Sequence, residues 1–198
     1  VHGKKPTTKI ASEVTSIGWK LTSQDGLWVL QVRDDRVSLS YVRSNEKPYP
    51  GWEVFWKKVQ AVWATAKDSL LVTSISRVGL RYINQLGTPR IAKALSSNSS
   101  DGKPFLATSH NVATDLAAEM ISTMARSVLQ FDNHHFATVH QLWQNQDSSE
   151  AELILDIDAY YVGETDVIEP TLERLREIKN SIFFESFSPE LIEGFQHE

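Results

Sequence analysis

There is no cysteine anywhere in the 198 residues, which excludes disulfides, thiolate metal centres and cysteine nucleophiles together. The same absence fits a reducing compartment, and a cytoplasmic protein is the expectation drawn from it. No stretch approaches the roughly 18 consecutive apolar residues that a membrane-spanning helix needs, so no membrane role is expected. Val1 to Ile10 carry three lysines and no apolar signal-peptide core. A basic excess is missing as well. Lys and Arg number 20 against 25 Asp and Glu, a net charge of −5, which argues against nucleic acid as a general partner. Glycine-rich phosphate loops, serine elbows and paired zinc motifs are all lacking. No cofactor is therefore implied, and enzymes with well-known local signatures drop out.

What is present is ordinary globular material, 41% hydrophobic and 23% charged, enough to build a sizeable core. Residues 16–43 read as a three-strand meander. Asp25-Gly26 turns Trp19/Leu21 into the run Leu27 to Val32, and Asp34-Asp35 turns that run into Val37, Leu39 and Tyr41. After the break at Lys47 to Gly51, residues 52–67 carry apolar side chains at helical spacing: Trp52, Phe55, Trp56, Val59, Val62, Trp63 and Ala66. The three tryptophans could suggest an aromatic binding site, but the stronger reading is a stripe that packs on a sheet. Leu70 to Leu86 reads as one long strand ended by Gly87-Thr88-Pro89. A short helix over Ile91 to Leu95, the polar stretch Ser96 to Gly102 and a capped helix from Thr114-Asp115 to Met120 follow. A second meander takes the segment from Ile121 or Ser122 to Phe131, for which a longer helix running on from Met120 is the alternative, then Phe136 to Trp143 and Leu153 to Ile157. Pro170 to Phe184 forms a helix, and Ser188-Pro189-Glu190 begins a short last one. The expected fold is α+β: mainly antiparallel sheet in two βββα-like halves, with a half-barrel curl as one arrangement, covered by amphipathic helices. Residues 1–15 are expected to be a tail and 16–198 a single domain with an internal seam at 96–110.

Four segments together resemble a sporadically distributed bacterial family of uncharacterised proteins: Tyr49-Pro50-Gly51-Trp52, Gly79-Leu80-Arg81-Tyr82-Ile83-Asn84, Leu155-Asp156-Ile157-Asp158 and Phe183 to Ser188. The resemblance covers about residues 17–195, and Gly79 to Asn84 is its most specific element. It implies a bacterial, intracellular α+β protein, and its patchy distribution points to a stress or defence system. It supplies no mechanism. Members generally begin with a further apolar, strand-like segment, so the resemblance implies that this chain lacks an N-terminal strand.

The residues that could carry chemistry are few. On a strand, Arg77, Gly79 and Arg81 share one face, two planar donor forks flanking a residue without a side chain. They form a candidate site for an anion or acidic group, together with Asn84. Asp156, Asp158 and Tyr160 alternate with Ile157 and Ala159, and would support the arginines by pairing across the sheet. The competing reading makes those pairs a purely internal salt-bridge network. With Glu152, the two aspartates could instead hold a hard divalent cation. His134, His135 and His140 have spacings that split them between faces and suit no metal, and His110 has no evident partner. A non-catalytic binding or interaction module is thus expected, with a protein or small anionic ligand as partner. The alternative is a metal-dependent enzyme acting on a nucleotide or phosphoryl substrate. A homo-oligomer closed by exposed tryptophans is a third arrangement.

Overall fold

The computed structural model describes residues 11–15, 18–44, 47–70, 72–86, 122–145 and 151–187. The chain divides into two compact units, residues 1–73 and 74–198. In the first, β1 (Ala11–Thr15), β2 (Gly18–Thr22), β3 (Trp28–Arg33) and β4 (Val37–Tyr41) form an antiparallel sheet in chain order. The helix α1 (Trp52–Ser69) follows and packs near β4. In the second, β5 (Ile75–Leu86), β6 (Ser122–Gln130), β7 (His135–Asn145) and β8 (Ala151–Thr165) form an antiparallel sheet ordered β5-β8-β7-β6, covered by α2 (Glu169–Glu185). Each half thus holds a three-strand meander and a helix, plus one added strand: β1 beside β2, β5 beside β8. Among the described strands, neither sheet closes on itself. The α+β class and the antiparallel pairing are those the periodicity predicts. Among the described residues, no helix is long and apolar enough to cross a membrane.

Three expectations change. Ala11–Thr15, read as tail, pairs residue by residue with β2, Val14 opposite Trp19. Its polar composition hides a strand whose pairing runs through the backbone, as short edge strands allow. Residues 16–198 are not one unit: the division falls after Thr73, and no described strand pairing joins the two sheets. The strand expected from Leu70 begins only at Ile75. The polar segment at 96–110, the helices at 91–95 and 114–120, Gly87 to Pro89 and the last helix at Ser188 lie outside the described residues.

The first sheet is one-sided. Register places Trp19, Leu21, Leu30, Val32, Leu39 and Tyr41 on one face, with Lys20, Gln31, Ser38 and Ser40 on the other. The hairpin between β2 and β3 is tied by Asp25, whose carboxylate accepts from the Ser23 hydroxyl at 2.6 Å and the Leu27 amide at 3.1 Å. Gly26 takes φ +73°, a conformation that favours glycine. Helix α1 sets Phe55 against Trp28, ring centroids 5.8 Å apart, and Trp52 against Trp56 at 6.1 Å. Phe55 thus joins the stripe to the sheet, while Trp52 and Trp56 stack on each other along the helix, half-buried.

The core of the second unit lies between α2 and one face of its sheet. Leu172, Leu175, Ile178 and Ile182 recur every three or four residues on α2. They are buried, as are Val78 and Leu80 on β5, Leu155, Ile157 and Ala159 on β8, and Ala137 and Val139 on β7. Burying each large aliphatic side chain contributes about 1.5–3 kcal/mol. Every sheet residue of this set takes the same turn in the pleat. The alternate residues, including Arg77, Arg81, Asp156 and Asp158, therefore face away from the helix.

One polar group sits at the rim of that core. The Lys179 ammonium lies 4.0 Å over the Tyr82 ring, and desolvation, reinforced by Arg176, pushes its pKa down to about 8 from 10.5. Because the folded pKa lies below the unfolded one, the unfolded chain binds more protons between those values. Stability contributed at this site therefore rises with pH across about 8 to 10.5. The stability advantage of Lys179→Met over wild type should be largest at or below pH 8 and shrink as pH approaches 10.5. Paired urea titrations at several pH values measure it, and a pH-independent difference would refute the assignment.

Candidate functional site

The face of the second sheet turned away from α2 is ordered in rows by the strand register. One row reads Gly79, Tyr160, Phe136 and Gln130 across β5, β8, β7 and β6. The next reads Arg81, Asp158, Thr138 and Val128, and the third Ile83, Asp156, His140 and Arg126. Side chains two residues apart on a strand sit about 6.8 Å from each other, and neighbouring strands about 4.8 Å. Arg77, Arg81, Arg126 and His140 thereby come to line a depression of about 400 Å³ together with Thr138, Asp156, Asp158 and Tyr160.

The arginines pair diagonally with β8. Arg81 grips Asp156 with both prongs of its fork, Nε at 2.8 Å from Oδ1 and Nη2 at 2.6 Å from Oδ2. That pair of hydrogen bonds, with the nearby Asp158 charge, raises the already high Arg81 pKa further. Arg77 Nη2 donates to Asp158 Oδ2 at 3.0 Å. Asp156 is the one charged residue of the described core, 8% exposed, whereas the Arg81 side chain is 58% exposed. The carboxylate is held inside and the guanidinium reaches outward. His140 Nδ1 stands 3.7 Å from Asp156 Oδ2 on the opposite side. Both readings of the sequence therefore meet in one place: the arginines are salt-bridged within the sheet, and they also line open space.

Arg77 takes a second contact. Its guanidinium carbon lies 4.6 Å over the Tyr160 ring, and Tyr160 stacks on Phe136 at 5.7 Å with the planes 19° apart. Gly79 stands directly across from Tyr160. A Cβ added to Gly79 would come no nearer than 3.6 Å to Asp158 Oδ1, so its backbone does not demand glycine. The missing side chain leaves room for the Arg77 fork. Just beyond, the β5–β8 register slips between Ile75 and Arg77 beside Gly163, where a Cβ would meet the Tyr161 hydroxyl at 2.6 Å. A bulge at such a place re-aims the neighbouring side chains.

Asn84 does not belong to this face. It follows Arg81 by an odd number of residues, so the pleat turns it toward the helix side, where Nδ2 donates to the Leu155 carbonyl at 3.2 Å. The histidines part company. His135 Nδ1 lies 2.9 Å from Asp132 Oδ2, and Asp132 caps the β6–β7 turn by accepting from the His134 and His135 amides at 2.8 and 2.9 Å. Those bonds, the His134 amide's first, lower the Asp132 pKa to about 2. His134 Nδ1 meets the Val162 carbonyl at 3.0 Å. Of the described histidines, only His140 reaches the depression; His110 lies outside the described residues.

The donor set does not suit a metal. Both aspartates are engaged by arginines, and among the described residues no three carboxylate or imidazole groups converge. The side chain of Glu152 lies outside the described residues. Arg126 and Thr138 escaped sequence reasoning, and His140 was weighed there only as a metal ligand. The signal for Arg126 was an arginine in the otherwise uncharged segment Ser122–Gln130, interpretable only once β6 is paired with β7. No family model, curated protein or solved structure matches this chain.

Proposed function

We propose that the protein is a non-catalytic binding module whose second sheet receives an anionic group in the depression between Arg81 and Arg126. The supporting observation is the charge balance of that depression. Arg77 and Arg81 are each neutralised by an aspartate, while Arg126 contributes a third guanidinium that has no ion-pair partner among the described residues. The two aspartates hold the forks of Arg77 and Arg81 in place before any ligand arrives, which lowers the ordering cost of binding. Arg126 and the remaining guanidinium N–H groups then supply donors suited to phosphate or carboxylate oxygens. The resemblance to a bacterial family and the lack of cysteine support a bacterial cytoplasmic setting, where a partner protein or a small anion would present the acidic group.

Titration calorimetry with inorganic phosphate is the direct test. Arg126→Gln should weaken binding about tenfold, the worth of one charge-assisted hydrogen bond, while leaving the melting temperature in place because the side chain is exposed. Wild-type protein that binds neither phosphate nor acetate at millimolar concentration would remove the proposal, as would equal affinities for the variant and wild type.

A further inference from the structure

We infer that the anion received here is a phosphate monoester that also carries hydroxyl groups, of the sugar-phosphate kind. This rests on the reading of the depression as an anion receptor and adds a second requirement to it. The lining of the depression is not uniformly cationic. Asp158 Oδ2 accepts from Arg77, but among the described residues nothing donates to Oδ1, and the side chain is 31% exposed. Thr138 sits directly across from Asp158 on β7 and lines the same space. A carboxylate oxygen accepts only, so whatever fills this position must bring a donor.

The two requirements are spatially sorted. Asp158 and Thr138 occupy one row of the sheet, and Asp156, His140 and Arg126 the next, where the Asp156 carboxylate is already taken by the Arg81 fork. Rows are about 6.8 Å apart, a separation that a compact hydroxylated phosphate bridges, hydroxyls at Asp158 and Thr138 and phosphoryl oxygens at the Arg126 guanidinium. An ammonium donor at Asp158 is disfavoured by the adjacent Arg77 and Arg81 charges, whereas a neutral hydroxyl is not. Phosphate fits better than carboxylate at the other end, because donors approach from Arg126, His140 and Arg81 on three different strands. Three directions suit a tetrahedral group with three terminal oxygens. A volume of about 400 Å³ lies in the range of small-molecule sites.

The experiment compares ribose 5-phosphate, methyl phosphate and ribose by calorimetry on the whole chain. Ribose 5-phosphate should bind at least about tenfold tighter than methyl phosphate, the equivalent of one or two satisfied hydrogen bonds. Ribose alone should bind weakest of the three. Thr138→Val and Asp158→Asn should each lower the ribose 5-phosphate to methyl phosphate preference severalfold without abolishing methyl phosphate binding. Thr138→Val keeps the shape of the side chain and disturbs no ion pair, so it covers the case in which Asp158→Asn displaces Arg77. Equal affinities for the two phosphates, or a preference unmoved by Thr138→Val, would overturn this inference and leave the anion receptor standing. Absence of binding by both phosphates would overturn the receptor itself.

Discussion

Alanine at Leu175 will destabilise the 74–198 unit by about 2–5 kcal/mol, the range for emptying a fully buried leucine position. Leu175 is 0% exposed and lies mid-stripe on α2, which packs on β8, β5 and β7. The neighbouring rows of the core, Ile157 on β8 above all, are themselves fully enclosed and have little freedom to collapse into the space. The matching control is Arg174→Ala on the outer side of the same helix. It removes an exposed pair with Glu177 at 2.9 Å and should change stability by no more than about 0.5 kcal/mol. Five of the six tryptophans lie in residues 1–73, so intrinsic fluorescence follows the wrong unit. Hydrogen exchange of β8 amides is the readout to use. A loss below about 1 kcal/mol would mean that α2 does not close this core.

The stripe that makes Leu175 predictable was legible because period 3.6 is a local signal: Leu172, Leu175, Ile178 and Ile182 declare their helix without reference to anything else. Period 2 declared the shared face of Arg77 and Arg81 in the same way, and the shared face of Asp156 and Asp158. Pairing partners are another matter. That Arg81 reaches Asp156 rather than Asp158, its direct register partner, depends on diagonal reach across twisted strands. Arg126 was invisible because a residue becomes part of a site only through the strand order, and the order β5-β8-β7-β6 brings together segments separated by more than 40 residues. Asn84 erred in the opposite direction. It was grouped by nearness in a motif although its parity already excluded it. The strand at Ala11–Thr15 escaped because edge pairing is a backbone property that side chains announce weakly.

The Arg81–Asp156 pair should respond asymmetrically to deletion of its two ends. Arg81→Leu strips both strong donors from a carboxylate that is 8% exposed, leaving only His140 Nδ1 at 3.7 Å. An abandoned buried charge costs about 1–3 kcal/mol or more, and the half-open surroundings hold the expected loss near the middle of that range, about 2 kcal/mol. Asp156→Leu does the reverse: it leaves a guanidinium whose side chain is already 58% exposed and can turn to water, so the loss should be under about 1 kcal/mol. The double substitution should cost less than the sum of the singles, because it leaves no orphan charge, with a coupling of about 1–2 kcal/mol. Urea titrations followed by far-UV circular dichroism on the four proteins give the cycle. Equal losses for the two single variants would show that the carboxylate is as well hydrated as the guanidinium. The picture of an inner aspartate aiming an outer arginine would then fail, and with it the preorganisation on which the proposed anion binding rests.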